Sequence, residues 1–215
     1  MGRIFYVSSM HGDDTNSGQT PEDAFRSLRK IDQLEIEPGD QIFLERGSVF
    51  IGEYLHLYAG GTKEAPIVVD AYGEGALPRI EADGNGIWYQ NYGGHLDNVV
   101  HTWKGYLSSA VLLYDAEYIS IRNLEITNNP CIKNERLNQA DRMNRTGVSV
   151  IAQNHGTLHQ IELANLYIHD VEGNIYDKHL NNGGIYMSVS RPDDEEKTGI
   201  ARYDGVHIHH CKVEK

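Results

Sequence analysis

Apolar residues along the chain fall in short segments in which they alternate with polar residues, and turn-forming residues separate one segment from the next. Strict alternation is typical of half-buried β-strands, and Gly and Asn mark the turns between them. Two early segments of this kind, 41–45 and 66–71, each end at a turn that contains glycine. The pattern therefore predicts an almost all-β chain.

One segment has helical rather than β periodicity. Thr20 is an N-cap candidate, and Pro21 favours the first position of a helix. Apolar residues then recur every third position, at Phe25, Leu28, Ile31 and Leu34. This spacing predicts one helix from Pro21 to Leu34 that caps the N-terminal end of the strands.

Three later segments, 119–126, 161–168 and 206–213, can be aligned without gaps. Each reads apolar, any, apolar, any, Asn or His, apolar, any, apolar, and their starts lie 42 and 45 residues apart. Shorter apolar strands precede the three segments, at 111–113, 148–150 and 185–187. Self-similarity with a period near 40 residues indicates a repeat of three strands per turn.

The polar position inside each repeat determines the geometry. Asn123 and Asn165 fall at a sharp bend between two strands, and Asn tolerates the left-handed backbone conformation that such a bend needs. Turns stacked about 4.8 Å apart build parallel sheets with continuous apolar ladders inside. The sequence thus predicts a right-handed parallel β-helix with an N-terminal capping α-helix. A sandwich of coincidentally similar strands is the alternative.

The order of these motifs resembles the pectate-lyase-like β-helix superfamily of carbohydrate-active enzymes, most closely the N-terminal part of bacterial β-helix glycoside hydrolases. The matching segments are Tyr6-Val7, the acidic loop 12–18, the predicted helix, the turn and strand 38–47, Ala65-Pro66-Ile67, Ala71-Tyr72-Gly73 and the segment 167–173. The resemblance covers nearly the full length. It implies a β-helix that acts on carbohydrate, although lyases, epimerases and adhesins share that fold.

The last strand of the third counted turn is the point where the sequence departs from this superfamily. Members continue for several more turns, so the chain is expected to need further turns, a second chain or a homodimer to cover its open end.

Residues 1–215 are expected to form one domain. Within it, 1–47 hold the first strand and cap, 48–109 the early turns with an aromatic-rich loop, and 110–215 the regular turns.

Composition excludes several classes of protein. With 19 Lys and Arg against 31 Asp and Glu, the formal net charge is −12, which argues against a nucleic-acid partner. No apolar run approaches the roughly 20 residues that cross a bilayer. Two cysteines are too few for a disulfide framework. The sequence opens directly into an apolar strand, which predicts a cytoplasmic protein unless a leader has been removed.

The superfamily resemblance places substrate on the first sheet, which contains segments 111–113, 148–150 and 185–187. Alignment of the turns predicts two outer rows on this sheet, Leu112–Ser149–Tyr186 and Tyr114–Ile151–Ser188. Neither row contains a carboxylate. An acid or base must therefore come from the flanking loops, 127–147, 169–183 and 190–204.

The loop 169–183 carries the candidate catalytic residues Asp170, Asp177 and His179. Glycoside hydrolysis normally uses two carboxyl groups, about 5 to 5.5 Å apart for retention and about 6.5 to 9.5 Å apart for inversion. Asp170 and Asp177 are the candidates for acid and for base or nucleophile, and His179 would orient the sugar. Alternatively, Asp170 ends its strand in an Asx-type turn.

Five further residues are predicted to contact sugar: Arg145, Tyr186, Tyr114, His169 and Trp103. Trp103 belongs to an aromatic-rich segment, 84–106, whose rings could stack on sugars or pack onto the flank of the strands. His169 with Glu214, and Glu162 with His207, are expected to form ladder pairs one turn apart. The cluster of His207, His209 and His210 is expected to be structural.

No cofactor is expected, with one exception to consider. Asp13, Asp14 and Asn16 offer hard oxygens that suit Ca²⁺, but they lack the spacing of a defined calcium loop, so an Asx-rich turn is the default.

The leading function is hydrolysis of glycosidic bonds in a plant or microbial polysaccharide or oligosaccharide. A uronate lyase, which the basic residues of loop 127–147 favour slightly, and a non-catalytic carbohydrate-binding or adhesin module are the alternatives.

Overall fold

The computed structural model describes residues 2–91, 104–130, 143–173 and 181–214. Sixteen strands within these residues form three sheets. Sheet I contains β4 (Leu55–Leu57), β8 (Lys104–Tyr114), β11 (Asn144–Ala152) and β14 (Gly183–Val189), with β7 (Ile87–Asn91) paired to β8. Sheet II contains β1 (Ile4–Val7), β2 (Gln41–Glu45), β5 (Ile67–Tyr72), β9 (Ile119–Arg122), β12 (Thr157–Ala164) and β15 (Arg202–His209). Sheet III contains β3 (Val49–Ile51), β6 (Arg79–Glu81), β10 (Glu125–Asn128), β13 (Tyr167–Val171) and β16 (Lys212–Val213).

From β2 onward the chain visits the sheets in a fixed order, II, then III, then I, and the order repeats. All the described strand pairs are parallel except the pair of β7 with β8. Equivalent strands of successive turns therefore lie side by side. The predictions of an almost all-β chain and of parallel sheets are confirmed.

The register of these pairs confirms the aligned segments. Ile161 of β12 pairs with Ile119 of β9 on one side and with Val206 of β15 on the other. In sheet III a single inward ladder crosses all five strands, through Phe50, Ile80, Ile126, Ile168 and Val213. The first four are buried, and each contributes roughly 1.5–3 kcal/mol through burial, whereas Val213 is 53% exposed.

The bends from sheet II to sheet III have the predicted backbone conformation. Asn123, Asn165 and His210 have φ angles of +56°, +51° and +54°. The Asn165 side-chain amide donates a hydrogen bond to Oδ1 of Asn123, and Asn123 Nδ2 donates to Asp70 Oδ1 at 2.6 Å. The Asn side chains thus stack on one another across turns.

Replacing Asn165 by Ala is expected to lower the free energy of unfolding by about 2–3 kcal/mol. The change removes a hydrogen bond and places a Cβ-bearing residue without side-chain compensation in the left-handed region. Asn165→Gly has no Cβ and adopts the left-handed conformation without strain, so it is expected to lower the free energy of unfolding by only about 1 kcal/mol. Urea denaturation of both variants measures the difference, and an Ala variant as stable as the Gly variant would contradict this account.

The prediction of one helix from Pro21 to Leu34 is wrong. Pro21–Asp23 form a 3₁₀ turn, Ala24 is extended, and the first α-helix, α1, spans only Arg29–Asp32. Phe25 between them bridges to Val7 of β1. Asp14 captures the free backbone N–H groups of Arg26 and Ser27, both at 2.9 Å, so strand pairing and this carboxylate replace helical hydrogen bonds.

The apolar residues of this segment nevertheless cover the first turns as expected. Phe25, Leu28 and Ile31 are buried against the core, and Leu34 packs partly on it. A second one-turn helix, α2, spans Glu195–Thr198 on the connection from sheet I to sheet II. No helix in the described part of the chain is long and apolar enough to cross a membrane.

Candidate functional site

The connections between sheets differ greatly in length, and three long ones leave sheet III at the same edge. The first two bends from sheet II to sheet III, 46–48 and 73–78, have three and six residues, and the last three, 123–124, 165–166 and 210–211, have two residues each. After the short 52–54, the connections from sheet III to sheet I are 82–103, which includes β7, 129–143 and 172–182. Because equivalent connections of stacked turns leave from the same edge, these three segments, here called the III–I corner, form the natural position for a site.

Asp170 lies at this corner in a β-bulge. Thr127 of β10 pairs with His169, but the next residue, Asn128, pairs with Val171, so Asp170 is the extra residue of β13. Its φ is +48°, and its side chain is 56% exposed. Bulges and left-handed non-glycine residues often re-aim a side chain at functional sites. The bulge turns the Asp170 carboxylate out at the corner.

His169 is the observed partner of Asp170. Its Nδ1 lies 2.8 Å from Asp170 Oδ2 and its Nε2 lies 3.0 Å from Glu125 Oε1, while its side chain is only 16% exposed. Partial burial disfavours the imidazolium, but the hydrogen bonds to both carboxylates outweigh that cost and raise the pKa of His169. His169 therefore holds Asp170 from one side and is itself held by Glu125.

Stability that comes from His169 is expected to depend on pH. Because the pKa is raised on folding, the contribution is fully present below the unfolded pKa of about 6.5 and is lost as pH rises through the folded value. The difference in unfolding free energy between wild type and His169→Gln should thus be larger at pH 6 than at pH 9. Denaturant titrations at the two pH values measure it, with exposed His207→Gln as control. A pH-independent difference would contradict the coupling.

The two ladder pairs expected from sequence form different contacts. Glu214 is bonded by Lys212 Nζ at 2.7 Å and by the Tyr167 hydroxyl rather than by His169. Glu162 pairs in register with His207, but its carboxylate accepts from Ser120 Oγ and lies 3.1 Å from Nε2 of His209. The expected pairs are thus neighbours across the sheet, with Glu162 opposite His207 and His169 within electrostatic reach of Glu214. The hydrogen bonds of both carboxylates, however, go to other residues.

Arg145, predicted to contact sugar, is 5% exposed. Its Nη1 donates to the carbonyl of Glu172 at 2.9 Å, and its backbone N–H donates to Asn182 Oδ1 at 2.9 Å. Gly173 lies against the same amide, since a Cβ there would come 2.0 Å from Asn182 Oδ1. Arg145 and Asn182 thus fix both ends of the connection 172–182, on which Asp177 lies.

Asn128, which the sequence analysis did not single out, secures the base of the corner. The side chain is fully buried. Its Nδ2 donates to Ser108 Oγ and to the Thr146 carbonyl, both at 3.0 Å, and its Oδ1 accepts from the Gly84 N–H at 2.9 Å. One side-chain amide therefore ties the connection 82–103 to β8 and β11, and the Asn128 backbone carbonyl accepts the Glu172 N–H of connection 172–182 at 3.2 Å. Its position two residues after the repeat 119–126 was the only signal in the sequence.

The outer rows of sheet I have the predicted register but are not an open surface. Ser149 pairs with Leu112 and Tyr186, as expected. Leu112 and Ile151, however, are buried in a second apolar cluster with Trp88. The cause is β7, whose antiparallel pairing with β8 brings Trp88 onto this face, where its Nε1 donates to Ser109 Oγ at 2.8 Å.

The aromatic residues of segment 84–106 and the other residues predicted to contact sugar differ in how far they are buried. Trp88 is packed, whereas Tyr89 and Tyr106 are 48% and 63% exposed with ring centroids 5.2 Å apart. Tyr114 and Tyr186 are half-buried; Tyr114 donates to Gln153 Oε1, and the Tyr186 hydroxyl lies 3.3 Å from Gln90 Nε2. Trp103, Asp177 and His179 lie outside the described residues.

The residues weighed as Ca²⁺ ligands all make contacts within the protein. Asp13 Oδ1 accepts from the Thr15 N–H at 2.8 Å, and Asp14 caps the 26–27 backbone. Asn16 Nδ2 donates to the Ala24 carbonyl at 2.9 Å. Over 2–91, 104–130, 143–173 and 181–214, no group of three or more His, Cys, Asp or Glu side chains is placed to hold a metal. These contacts fit the Asx-rich turn.

Comparison with known proteins places glycoside hydrolases among the homologues of this chain. No protein-family model matches it. A lacto-N-biosidase of Bifidobacterium longum subsp. longum is 37% identical over 244 residues, which cover 99% of this chain and 15% of that enzyme. The crystal structure of the GH136 lacto-N-biosidase from Eubacterium ramulus is 54% identical, with a TM-score of 0.92, over 100% of this chain and 34% of that one. Its native form gives 0.91 at the same identity. The chain thus spans about a third or less of the length of these relatives.

Proposed function

We propose that this chain is part of a glycoside hydrolase that releases lacto-N-biose, a disaccharide, from oligosaccharides. The observation that supports this most directly is the 54% identity to a GH136 lacto-N-biosidase along the whole chain. A small, oligosaccharide-sized substrate also suits a site built from loops at one corner rather than an open sheet face, since Trp88, Leu112 and Ile151 already fill that face.

The chain is further proposed to wind as the right-handed parallel β-helix that the sequence indicates. The fixed order of the sheets and the in-register ladders support this winding. The right-handed sense follows from the strong preference of parallel crossover connections for that hand. The outer edges of β14, β15 and β16 would accept further turns, from a continuing chain, a second chain or another copy, because Ile208 and Val213 are 45% and 53% exposed there.

The proposed chemistry uses Asp170 and Asp177 at the III–I corner. One carboxyl group donates a proton to the glycosidic oxygen, and the other attacks the anomeric carbon or activates water. Asp170 is turned outward by its bulge, and Arg145 and Asn182 fix the ends of the segment that carries Asp177 and His179. Tyr186 lies beside Asn181 and Gln90 at the same corner, where it would line the sugar.

The test is product analysis on the enzyme purified in the form that its cell makes. p-Nitrophenyl β-lacto-N-bioside should yield p-nitrophenol and intact lacto-N-biose, identified by mass. Elimination would instead give an unsaturated uronate product from a uronate polymer, and an adhesin would bind oligosaccharide without releasing any product. Absence of lacto-N-biose release at high enzyme concentration would overturn the proposal.

A further inference from the structure

An exposed aromatic surface lies at the end of sheet I that faces α1, away from the III–I corner. Tyr58 directly follows β4 and is 63% exposed, and Tyr114 ends the neighbouring strand β8. Their ring centroids are 6.0 Å apart, with an interplanar angle of 38°. Towards the start of β4, His56 lies 6.5 Å from Tyr58 and 4.5 Å from Tyr54. Rings therefore follow one another along the outer side of β4.

The carboxylate of Asp32 belongs to the same part of the surface as these rings. Asp32 ends α1, which packs on β4, and its carboxylate is partly shielded from solvent near the backbone N–H of His56. Desolvation there, with Glu53 nearby, raises the pKa of Asp32 to about 6. Partial desolvation of the Tyr58 hydroxyl and, second, the charge of Asp32 raise the pKa of that phenol. Because α1 packs on β4, Asp32 at the end of α1 and Tyr58 directly after β4 lie on neighbouring elements.

His56 adds no charge to this surface. Burial lowers its pKa to about 4, and its Nε2 lies 2.9 Å from the Ser109 carbonyl, which requires the proton on that nitrogen. At neutral pH the surface therefore consists of aromatic faces with carboxylate oxygens beside them. Apolar faces with a few fixed polar acceptors are how proteins bind pyranose rings, which present C–H groups on their faces and hydroxyls at their edges.

We infer that Tyr58, Tyr114 and Asp32, here called the Tyr58 platform, bind a sugar ring of the oligosaccharide that is remote from the bond cleaved at the III–I corner. The inference rests on the proposed function and extends it to longer substrates. A sugar would stack on the exposed face of Tyr58, and the Asp32 carboxylate would accept hydrogen bonds from its hydroxyls.

The position of the Tyr58 platform is compatible with this role. Ser109 of β8 is level with Thr146 and with Gly183, where connection 172–182 enters sheet I. Tyr114 lies five residues further along β8, a distance of roughly 17 Å at about 3.3 Å per residue. A substrate of only two or three sugars would not span that distance, whereas a longer oligosaccharide would. β4 forms one edge of sheet I and β14 the other, so turns added at β14 leave Tyr58 uncovered.

The experiment compares a short and a long substrate on the same variants. Tyr58→Ala is expected to leave kcat/KM for p-nitrophenyl β-lacto-N-bioside unchanged. For a longer lacto-N-biose-terminated oligosaccharide, kcat/KM should fall about fivefold to tenfold, through KM, which is the size of effect that one aromatic contact provides. Tyr58→Phe should retain the wild-type preference because the ring face remains. Tyr72→Ala, a half-buried tyrosine on sheet II, serves as the control.

The outcomes separate this inference from the proposed function. Equal loss on both substrates, or no loss on either, would overturn the platform while leaving the hydrolase intact. If the wild type hydrolyses neither substrate, the proposed function fails. Calorimetric titration with the same long oligosaccharide then tests the platform alone, since binding to wild type but not to Tyr58→Ala supports it and equal or absent binding overturns it.

Discussion

Replacing Asp170 by Asn is expected to lower kcat on p-nitrophenyl β-lacto-N-bioside by two or more powers of ten. Positioned general acids and bases contribute about 10²- to 10⁴-fold, and Asn cannot carry out either role. Asn also tolerates a φ of +48°, so the bulge of β13 should persist in the variant. The loss should therefore appear in turnover, measured as initial rates, with unfolding free energy close to that of wild type.

Asp177→Asn is expected to show a loss of similar size, and the double variant should be little worse than the poorer single one, because two groups that act in one step are not additive. The matched control is Glu172→Gln, which neutralises an exposed carboxylate on the same connection and should keep near wild-type activity. Near wild-type turnover in either Asp variant would remove that residue from the catalytic pair.

The second large effect concerns stability rather than chemistry. Asn128→Leu keeps side-chain volume but removes the amide that bonds the half-buried Gly84 N–H, the buried Ser108 hydroxyl and the carbonyl of buried Thr146. Each buried polar group left without a partner costs about 1–3 kcal/mol, so a total loss of roughly 3–5 kcal/mol is expected. For a chain of this size that corresponds to a fall in Tm of roughly 6–20 °C.

Calorimetry or urea denaturation measures this loss, and Asn154→Leu is the control. Asn154 also bonds through its side chain, to Asp193, but it does so at the exposed surface, where water replaces lost partners. The control should change stability by about 0.5 kcal/mol or less. A loss below about 1 kcal/mol in Asn128→Leu would show that the base of the corner does not depend on this amide.

The ladders were predictable because their information is local and repeated. A strand that slips by one residue exposes its whole apolar set, so the alternation at 119–126, 161–168 and 206–213 determines the register. The left-handed bends at Asn123 and Asn165 were predictable for a similar reason, since few residue types accept that conformation.

The elements that sequence reasoning missed depend on contacts distant in the chain. The sequence around Phe25 does not indicate that Asp14 accepts hydrogen bonds from the backbone N–H groups of Arg26 and Ser27 and so interrupts the predicted helix. The antiparallel pair of β7 and β8 lies in a connection that is absent from the repeat. β11 begins at Asn144, four residues before its apolar core, because buried hydroxyl and amide groups replace apolar residues there.

The candidate site was predictable only in part. The sequence could point to the loop 169–183 because glycoside hydrolysis requires carboxylates, but it could not show that Asp170 is a bulge residue, since the bulge arises from pairing with β10. Arg145 was expected to contact sugar, which requires an accessible side chain. Its burial follows from the Glu172 carbonyl, which only the folded corner brings within reach.

The sheet II to sheet III bends at Asn123, Asn165 and His210 have two residues, whereas the connections at the III–I corner are long. This difference determines where the chain can accept insertions and deletions. Inserted or deleted residues between β13 and β14 leave every rung of the stack in place, whereas a single insertion at Asn165 would shift all later rungs out of alignment. Variation in substrate preference can therefore accumulate in one region while the scaffold is inherited intact.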